Sequence, residues 1–472
     1  MSLTNEQQAV VDHASKVLSE NRHDILMVNA VAGSGKTHLL TNMVKQIPHT
    51  SGIYLAYNKS IATEASRKFP SSIACLTVNA LAYRNTVKTL GLRVGYFSYR
   101  DIKEKFTYDI KLWYVDMFRL FCLSKHTSVS EFAKEHELEP HHASVLEKYM
   151  ELMFSGTIEC THDFYLKIFH MYLADGSLTF PEQDFLLLDE AGDVNEVILE
   201  IFKLLPAKVK VAVGDDNQNI YAFNHTVNAF VLMKGQGTYF RLTKSFRVSE
   251  RIAERIEKFC KAVISPDMSF TGIPVTDNTI ETRAFISRTN GGLISAIIDL
   301  NESNIAYNLV RDPSEVFKIP LMLCFLKHNG SITDPAYSHI QDDVNDWYES
   351  PDLMRKYKSP IAYLQSKYTD DVNLNAASRL VMNFGRKIIF DAYEKAKKHK
   401  NNSNSKVFLG TAHSVKGLEF DEVMIMEDLN RVVSKVFENL TGIYTDEEIQ
   451  ELNLYYVACS RAKKSLNGAI HL

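Results

Sequence analysis

The sequence predicts an α/β protein with two parallel-sheet domains, each interrupted by an inserted segment. Three observations support this fold class. The chain has 472 residues, which is too long for one ordinary hydrophobic core. Short apolar runs alternate with helical patterns in two separate regions, and several of these runs lead directly into acidic residues. Between them, residues 91–174 are helical and rich in aromatic residues, with few strand signals.

Predicted elements follow this plan along the chain. A first helix covers residues 5–20, with Asn5 as a candidate cap. Strands are predicted over residues 25–28, 53–56, 185–188, 209–213, 282–290 (in part), 407–411 and 423–426, and further helices over residues 61–68 and 446–463. Residues 302–375 read as irregular, and residues 397–406 as a solvated loop. The domain boundaries are 1–90 and 175–250 for the first domain, 91–174 for its helical insertion, 251–301 and 376–472 for the second domain, and 302–375 for its small insertion.

Composition is typical of a soluble globular protein, with 45% hydrophobic and 23% charged residues. The formal net charge of −4 excludes a wholly basic surface but allows a local groove for nucleic acid. No two of the six cysteines have the spacing of a metal or redox motif, so we expect reduced thiols. The polar amino terminus and the lack of a long apolar run predict a protein that is not secreted and has no membrane partner. We expect a cytoplasmic location, or a nuclear one in a eukaryote.

The stretch "VNAVAGSGKTHLL" carries the strongest chemical signal. A buried strand precedes it and a helical pattern follows it, which is the setting of a phosphate-binding loop. Backbone N–H groups and the helix amino terminus would surround phosphate oxygens there. A Gly/Ser-rich turn with an incidental lysine is the alternative, but strand, loop and helix all agree with the phosphate loop. The residues predicted to bind the triphosphate are Ala32, Gly33, Ser34, Gly35, Lys36 and Thr37, with Thr37 also a ligand of Mg²⁺.

Acidic and amide residues follow two later strands. In "FLLLDEAGD", Asp189 is expected to face the metal ion and Glu190 to act as general base, although an Asp–Glu pair can also cap a helix. In "VAVGDDNQNIYAF", Gln218 is a candidate contact of the γ-phosphate. Tyr221 and Phe223 are spaced to stack on bases, and a core role for these rings is equally compatible with the spacing.

Two arginines are candidates for stabilising a phosphate that gains charge as it leaves. Arg247 lies in "LTKSFR", at a strand-to-helix junction, and Arg461 lies in "NLYYVACSRAKK", on the predicted last helix. A surface salt bridge is the alternative for each. If one of them comes from the second domain, hydrolysis is coupled to domain closure.

Taken in chain order, these motifs resemble those of the superfamily 1 DNA helicases of the UvrD, Rep and PcrA type. The resemblance is greatest to the helicase core of the F-box DNA helicases, without an F-box segment, and it extends over nearly the whole chain. The stretches that carry it are "LTNEQQAVV", "AVAGSGKT", "AYNKSIATEASRKFP", "TVNALAYR", "DEAGD", "GDDNQNIY", "LTKSFR", "ISRTN", "TAHSVKGLEF" and "LYYVACSRAKK".

The resemblance implies two RecA-like domains of the P-loop NTPase class, with ATP and Mg²⁺ as cofactors. It implies that Gln7 pairs with the adenine, that Phe246 contacts the nucleotide, that Glu419 contacts the ribose, and that Arg247 and Arg461 act as arginine fingers. The DNA-contacting residues that it implies are Tyr57, Asn58, Lys59, Thr77, Asn79, Tyr221, Phe223, Arg288, Thr289, Asn290, Thr411 and His413.

The family's mode of action implies a DNA helicase or translocase with DNA-stimulated ATP hydrolysis. Nucleotide lies in the cleft between the domains, single-stranded DNA crosses both, and movement is expected from 3′ to 5′. Expected partners are single-stranded and tailed duplex DNA, together with single-strand-binding or recombinase proteins, and we expect a monomer. The chain departs from the family pattern at Gly192 (for Gln), His38 (for Arg), Asn79 (for His), Asn224 and His225 (for Arg-Gly) and Ser460 (for Thr).

Two other functions remain open from the sequence. The same engine can strip proteins from single-stranded DNA while unwinding poorly, which the short second insertion and the likeness to F-box helicases favour. A nucleotide-switched DNA-binding module, which uses ATP as a clamp, is favoured only by the departures at Gly192 and Asn224. Replication, repair and recombination are all compatible pathways.

Overall fold

The computed structural model describes residues 2–48, 50–220, 225–326, 337–369, 371–399, 405–439 and 443–472. Residues 1–244 and 245–472 form two separate units, and each has its own parallel sheet. This mixed α/β architecture confirms the predicted fold class and is consistent with two RecA-like domains. The units divide at residue 244, whereas the sequence places the change of domain at residue 250.

The first unit is built on a six-stranded sheet among its described residues, in the order β3-β2-β4-β6-β1-β8, with every neighbouring pair parallel. Strands β5 and β7 form a small antiparallel pair beside it. The strands are β1 (Asp24–Ala30), β2 (Gly52–Ala56), β3 (Ile73–Thr77), β4 (Gln183–Asp189), β5 (Val194–Asn195), β6 (Ala207–Gly214), β7 (Thr226–Val227) and β8 (Thr238–Leu242).

Helices cover both faces of this sheet, as a parallel sheet requires. On β1, Leu26 and Val28 pack into one core with the first two helices, while Met27 faces the other core with the inserted helices. The helices are α1 (Asn5–Ser19), α2 (Lys36–Gln46), α3 (Lys59–Lys68), α4 (Val78–Asn85), α5 (Val87–Leu90), α6 (Tyr108–Leu123), α7 (Val129–Glu135), α8 (Pro140–Phe154), α9 (His162–Ala174), α10 (Glu196–Leu204) and α11 (Ala229–Leu232).

The second unit contains a five-stranded parallel sheet in the order β12-β13-β11-β14-β15, and β9 pairs with β10 outside it. Its strands are β9 (Lys244–Ser249), β10 (Thr271–Ile273), β11 (Arg283–Ser287), β12 (Asn308–Leu309), β13 (Val407–Thr411), β14 (Phe420–Ile425) and β15 (Ala462–Asn467). Its helices are α12 (Glu250–Val263), α13 (Asn290–Glu302), α14 (Pro313–Val316), α15 (Lys318–Leu326), α16 (Ser338–Glu349), α17 (Pro351–Lys356), α18 (Pro360–Lys367), α19 (Val372–His399), α20 (Glu427–Phe437) and α21 (Asp446–Cys459).

Several local expectations are wrong. The cap of α1 is Thr4, whose hydroxyl accepts the Gln7 N–H in a capping box, and not Asn5. The described parts of 302–375 are mostly helical (α14 to α18) rather than irregular, because prolines that read as loop signals occupy first-turn positions of three helices. Helix α19 continues to His399, into the predicted loop. The last helix ends at Cys459, and residues 462–467 form β15.

All six cysteines are free thiols, and each is buried except Cys75, which is partly exposed. Within the residues that the structure describes, no helix combines the length and apolar character needed to cross a membrane.

Candidate nucleotide and DNA sites

The phosphate loop connects β1 to α2 as the sequence predicts. Gly33 and Gly35 have φ values of 76° and 80°, in the left-handed region that favours glycine. Gly35 is also the residue that precedes α2, so Lys36 and Thr37 occupy the first turn of this helix. The free N–H groups of a first turn attract anions. The loop therefore has the backbone conformation and the helix terminus that phosphate binding needs.

Side chains around the loop are arranged to hold its shape and to offer donors. Gln7 is 1% exposed, and its Nε2 donates to the Ser34 carbonyl oxygen at 3.0 Å. Its Oε1 accepts the Thr4 N–H at 3.1 Å, so each end of the amide retains one further hydrogen-bonding position. The Ser34 hydroxyl is buried and has no hydrogen-bond partner, which an incoming phosphate oxygen would supply. Base recognition by Gln7 stays a prediction.

The end of β4 brings the predicted acidic pair next to this loop. Lys36 Nζ lies 2.6 Å from Glu190 Oε2, and the two side chains are 15% and 28% exposed. Glu190 has a φ of 54°, which is uncommon outside glycine and places backbone strain at this position. Asp189 Oδ1 accepts the Glu190 N–H at 3.0 Å, and Asp189 Oδ2 accepts the Tyr54 hydroxyl at 2.5 Å. None of these contacts is a helix cap, which was the alternative role of the pair.

Burial and charge shift the acid–base behaviour of these groups. Burial raises the pKa of Asp189, the charge of Glu190 raises it further, and Lys36 partly opposes both. Burial alone would lower the pKa of Lys36, but the charges of Glu190 and Asp189 outweigh burial and raise it. Lys36 therefore stays cationic, and in this structure Glu190 is its counter-ion.

The end of β6 adds a second acidic turn. Gln218 Nε2 donates to Asp215 Oδ2 at 2.7 Å, so the predicted γ-phosphate contact is oriented by this carboxylate. The glycine at position 192 has a steric reason, because a Cβ at this position would lie 2.6 Å from the Asp215 carbonyl oxygen. A Cβ at Gly214 would in turn lie 2.8 Å from the Gly192 nitrogen. The two turns thus approach each other as closely as backbone allows.

In the second unit, Arg247 and Glu419 form an ion pair, with 2.7 Å between Arg247 Nε and Glu419 Oε2. The residues predicted as arginine finger and as ribose contact are therefore partners here. Phe246 precedes Arg247 on β9 and is partly exposed. The roles of all three toward nucleotide stay predictions.

Arg461 does not lie on the last helix as predicted, because α21 ends two residues earlier and β15 begins at the next residue. It is 2% exposed, its Nε donates to the Val457 carbonyl oxygen at 2.8 Å, and its Nη2 donates to Ser460 Oγ at 2.9 Å. This burial excludes the surface salt bridge that the sequence left open. Ser460, which replaces the family's threonine, keeps the hydroxyl that orients the guanidinium.

The predicted DNA contacts of the first unit cluster at the carboxyl ends of β2 and β3. Tyr57, Thr77 and Asn79 line one cavity of about 250 Å³, and Tyr57 is 50% exposed. Asn58 and Lys59 are exposed at the start of α3, where the Asn58 side chain caps the helix by accepting the Ile61 N–H at 2.9 Å. Thr77 similarly caps α4. The structure therefore brings these five residues into one region.

Several residues of the second unit that are predicted to contact DNA have side chains bonded to other residues of this unit. Arg288 makes a two-point ion pair with Glu451 at 2.5 and 2.7 Å. Thr289 is buried, and its hydroxyl donates to Asp428 Oδ2 at 3.0 Å. Asn290 begins α13, Thr411 ends β13 and is buried, and His413 is partly exposed in the following turn. The predicted base-stacking residues Tyr221 and Phe223, and the departure at Asn224, lie outside the described residues.

The oxygen donors at the phosphate loop fit Mg²⁺ bound together with a triphosphate. No group of three or more His, Cys, Asp or Glu side chains suited to a metal ion occurs among the described residues. Mg²⁺ needs only one or two carboxylates when phosphate oxygens and water complete its shell. Asp189 offers a carboxylate, Thr37 offers a hydroxyl, and the unpartnered Ser34 hydroxyl can bind phosphate. The residues are compatible with the predicted cofactor pair.

Sequence reasoning missed residues whose roles depend on distant contacts. Tyr54 touches Asp189 across 135 residues, and Asp428 accepts hydrogen bonds from the Arg288 and Thr289 backbone N–H groups at 2.9 to 3.1 Å. Glu451 holds Arg288. No local pattern marks any of these three acceptors or donors, because each lies in an ordinary strand or helix.

Comparison with known proteins gives matches to both units. The family model of an AAA domain matches residues 13–224, and that of the UvrD-like helicase C-terminal domain matches residues 331–470. F-box DNA helicase protein 1 of Schizosaccharomyces pombe is 26% identical over 98% of this chain and 57% of its own length. F-box DNA helicase 1 of Gallus gallus is 23% identical over 99% of this chain and 49% of its own length. A putative ATP-dependent DNA helicase of Acanthamoeba polyphaga mimivirus is 24% identical over 59% of this chain and 33% of its own length.

The chain thus spans about half the length of the F-box helicases that it matches. The matched regions contain the phosphate loop, the Asp189–Glu190 pair and Arg461. Together, the two parallel-sheet units, the loop geometry and these matches make this chain similar to the UvrD-like helicases of superfamily 1.

Proposed function

We propose that this protein is an ATP-dependent DNA helicase or translocase that moves along single-stranded DNA from 3′ to 5′. The observation that carries the proposal is the Lys36–Glu190 ion pair at 2.6 Å, beside the buried Asp189 and at the mouth of a phosphate loop. In triphosphate hydrolysis a lysine binds phosphate oxygens and a carboxylate acts on the attacking water. Lys36 and Glu190 are suited to these two roles, and their ion pair has to separate before either can act. The polarity rests on the family resemblance.

Hydrolysis follows from these contacts in two steps. A bound triphosphate offers Lys36 phosphate oxygens, and Lys36 exchanges Glu190 for them. The released Glu190 carboxylate accepts a proton from the attacking water, whose oxygen bonds to the γ-phosphorus as the bond to the β,γ-bridging oxygen breaks. ADP leaves with that electron pair. Mg²⁺, when bound, would neutralise phosphate charge, and Asp189 and Thr37 would hold it.

Three further residues complete the proposed chemistry. Gln218, oriented by Asp215, contacts the γ-phosphate or its water. Arg247 and Arg461 stabilise the charge that develops on the departing phosphoryl group. The Ser460 hydroxyl and the Val457 carbonyl orient Arg461 and limit its rotamers.

The cavity formed by Tyr57, Thr77 and Asn79 supports DNA binding in the first unit. Three carboxyl groups (Asp163, Asp189 and Asp193) and one cation, Arg119, also line it, and Arg119 pairs with Asp163, so the remaining acidic groups disfavour a phosphate there. A half-exposed tyrosine ring with hydroxyl and amide groups instead suits a nucleobase. Binding of this kind is tolerant of sequence, because every base has a face that can stack.

The substrates that we propose are single-stranded DNA and tailed duplex DNA, and the pathways are replication, repair or recombination. Single-strand-binding or recombinase proteins are the proposed protein partners of a monomeric enzyme. The F-box DNA helicases that match this chain support a DNA substrate.

The deciding experiment measures ATP turnover with and without single-stranded DNA, and then strand separation on duplexes with a 3′ or a 5′ tail. We expect DNA to stimulate turnover, only the 3′-tailed duplex to be opened, and Lys36→Ala to abolish both. ATP turnover that single-stranded DNA does not change would contradict the proposal of a helicase. Stimulated turnover without strand separation would favour a translocase that strips proteins, and binding without repeated turnover would favour a nucleotide-switched clamp.

A further inference from the structure

Tyr54 is a buried tyrosine whose hydroxyl reaches out of an apolar core. It is the third residue of β2, is 0% exposed, and lies opposite Leu187 of β4 in the sheet register. Its ring packs against Phe69 at 5.0 Å between centroids. For this packing alone, phenylalanine would serve equally well, since a buried hydroxyl must find a partner or cost free energy.

The partner of that hydroxyl is Asp189. Tyr54 Oη donates to Asp189 Oδ2 at 2.5 Å, while the backbone N–H of Glu190 donates to Asp189 Oδ1 at 3.0 Å. One donor on each oxygen fixes the plane of the carboxylate. The backbone donor comes from a residue with a φ of 54°, so the turn itself is held in a demanding conformation.

We infer that Tyr54 is a positioning residue for nucleotide hydrolysis, which holds the Asp189 carboxylate in the orientation that receives Mg²⁺ with the triphosphate. The inference rests on the proposed ATP hydrolysis. Groups that orient a metal ligand through hydrogen bonds commonly change metal affinity or activity by about 10- to 100-fold when removed. The Tyr54 hydroxyl donates to Asp189, so its proposed action passes through that carboxylate.

The Tyr54–Asp189 hydrogen bond shares no atom with the ion pair that nucleotide must break. Lys36 pairs with Glu190 and not with Asp189 in the described hydrogen bonds. When a phosphate draws Lys36 away from Glu190, Asp189 therefore keeps both of its donors. Tyr54 therefore maintains the orientation of the Asp189 carboxylate while Lys36 moves from Glu190 to the phosphate. A hydrogen bond from Lys36 itself could not do this, because Lys36 moves.

Tyr54→Phe tests this inference, because it removes one oxygen and keeps the ring. Two readouts are taken over a Mg²⁺ titration: ATP turnover, and the rise in unfolding temperature produced by a non-hydrolysable ATP analogue. We expect the half-saturating Mg²⁺ concentration to rise about tenfold or more in both. An unchanged half-saturation point in the two titrations would overturn the inference.

Tyr149→Phe is the matched control. Tyr149 is also buried, and its hydroxyl donates to a carboxylate, Glu104 Oε2, at 2.6 Å within the inserted helices. It should lose a similar amount of stability and keep the wild-type Mg²⁺ dependence. If both variants shift the titration equally, general loosening of the fold is the cause and the inference fails.

Phe69→Leu separates packing from hydrogen bonding and remains informative if Tyr54→Phe does not fold. It perturbs the ring contact of Tyr54 and retains the hydroxyl, so we expect an unchanged Mg²⁺ half-saturation point. A shift like that expected for Tyr54→Phe would assign the effect to packing. Wild-type protein without ATP turnover would instead remove the proposed function, whereas normal wild-type turnover with an unaffected Tyr54→Phe removes this inference alone.

Discussion

Replacing Glu190 by glutamine should weaken hydrolysis and strengthen nucleotide binding at once. The carboxylate is the proposed base, so its loss should slow turnover by about 10²- to 10⁴-fold. It is also the counter-ion of Lys36, at 2.6 Å. Every nucleotide that binds must separate this pair, and Glu190→Gln removes that cost beforehand.

The magnitude of the binding effect follows from the geometry of the pair. Two unit charges 2.6 Å apart attract by about 6 kcal/mol at an effective dielectric constant of about 20. Desolvation offsets most of this, and charge-assisted hydrogen bonds contribute about 1.5–3 kcal/mol net. Since about 1.4 kcal/mol corresponds to a factor of ten, Kd for ATP should fall about ten- to a hundredfold.

Titration calorimetry with ATP and steady-state phosphate release, both on one preparation, measure the two effects. Glu254→Gln serves as the control, because Glu254 pairs with Lys258 on the exposed surface of α12 and should alter neither quantity. A variant that loses hydrolysis but binds ATP no more tightly than wild type would refute the competition between phosphate and Glu190. Normal hydrolysis would refute the role of Glu190 as base.

Three further predictions concern buried groups. Arg461→Ala should slow ATP turnover by about a thousandfold or more, and it should also lower the unfolding temperature because it vacates a fully buried site. Gly192→Ala should destabilise the protein by about 1–3 kcal/mol, measured by denaturant unfolding, because the new Cβ would meet the Asp215 carbonyl oxygen. Burial lowers the pKa of Lys167 to about 8 from 10.5, so above pH 8 the unfolded chain binds more protons than the folded one. The free energy of unfolding of the wild type minus that of Lys167→Met should therefore rise between about pH 8 and 10.5.

Each of these has an outcome that contradicts it. Turnover by Arg461→Ala comparable to that of Arg431→Ala, which removes an exposed ion-pair residue, would exclude a finger role. Unchanged denaturant midpoints in Gly192→Ala would show that the two turns can separate without cost. A stability difference for Lys167→Met that is flat or falls over this pH range would show that folding does not lower the pKa of Lys167.

The nucleotide loop was predictable because its information is local. A strand, glycines at the turn, and a lysine at the helix start lie within thirteen residues, and glycine at positions 33 and 35 has the φ values that the loop requires. The acidic ends of β4 and β6 were found for the same reason. In each case the acidic residues directly follow the strand in the sequence, at its carboxyl end.

Features that depend on pairing between distant segments were not predictable. "RAKKSLN" has residues that favour helix, yet residues 462–467 form β15 because β14 offers a parallel partner. The prolines at 313, 351 and 360 favoured a prediction of loops. Each instead lies in the first turn of a helix, a position to which proline is well suited. Tyr54 had no signal at all, because its partner lies on another strand.

The contact between Gly192 and the β6 turn restricts both of its glycine positions. A side chain at position 192 would require the two acidic turns of this chain to stand farther apart, since no Cβ fits the spacing found here. The same holds for position 214, so a substitution at either site has to be accommodated by separation of the ends of β4 and β6.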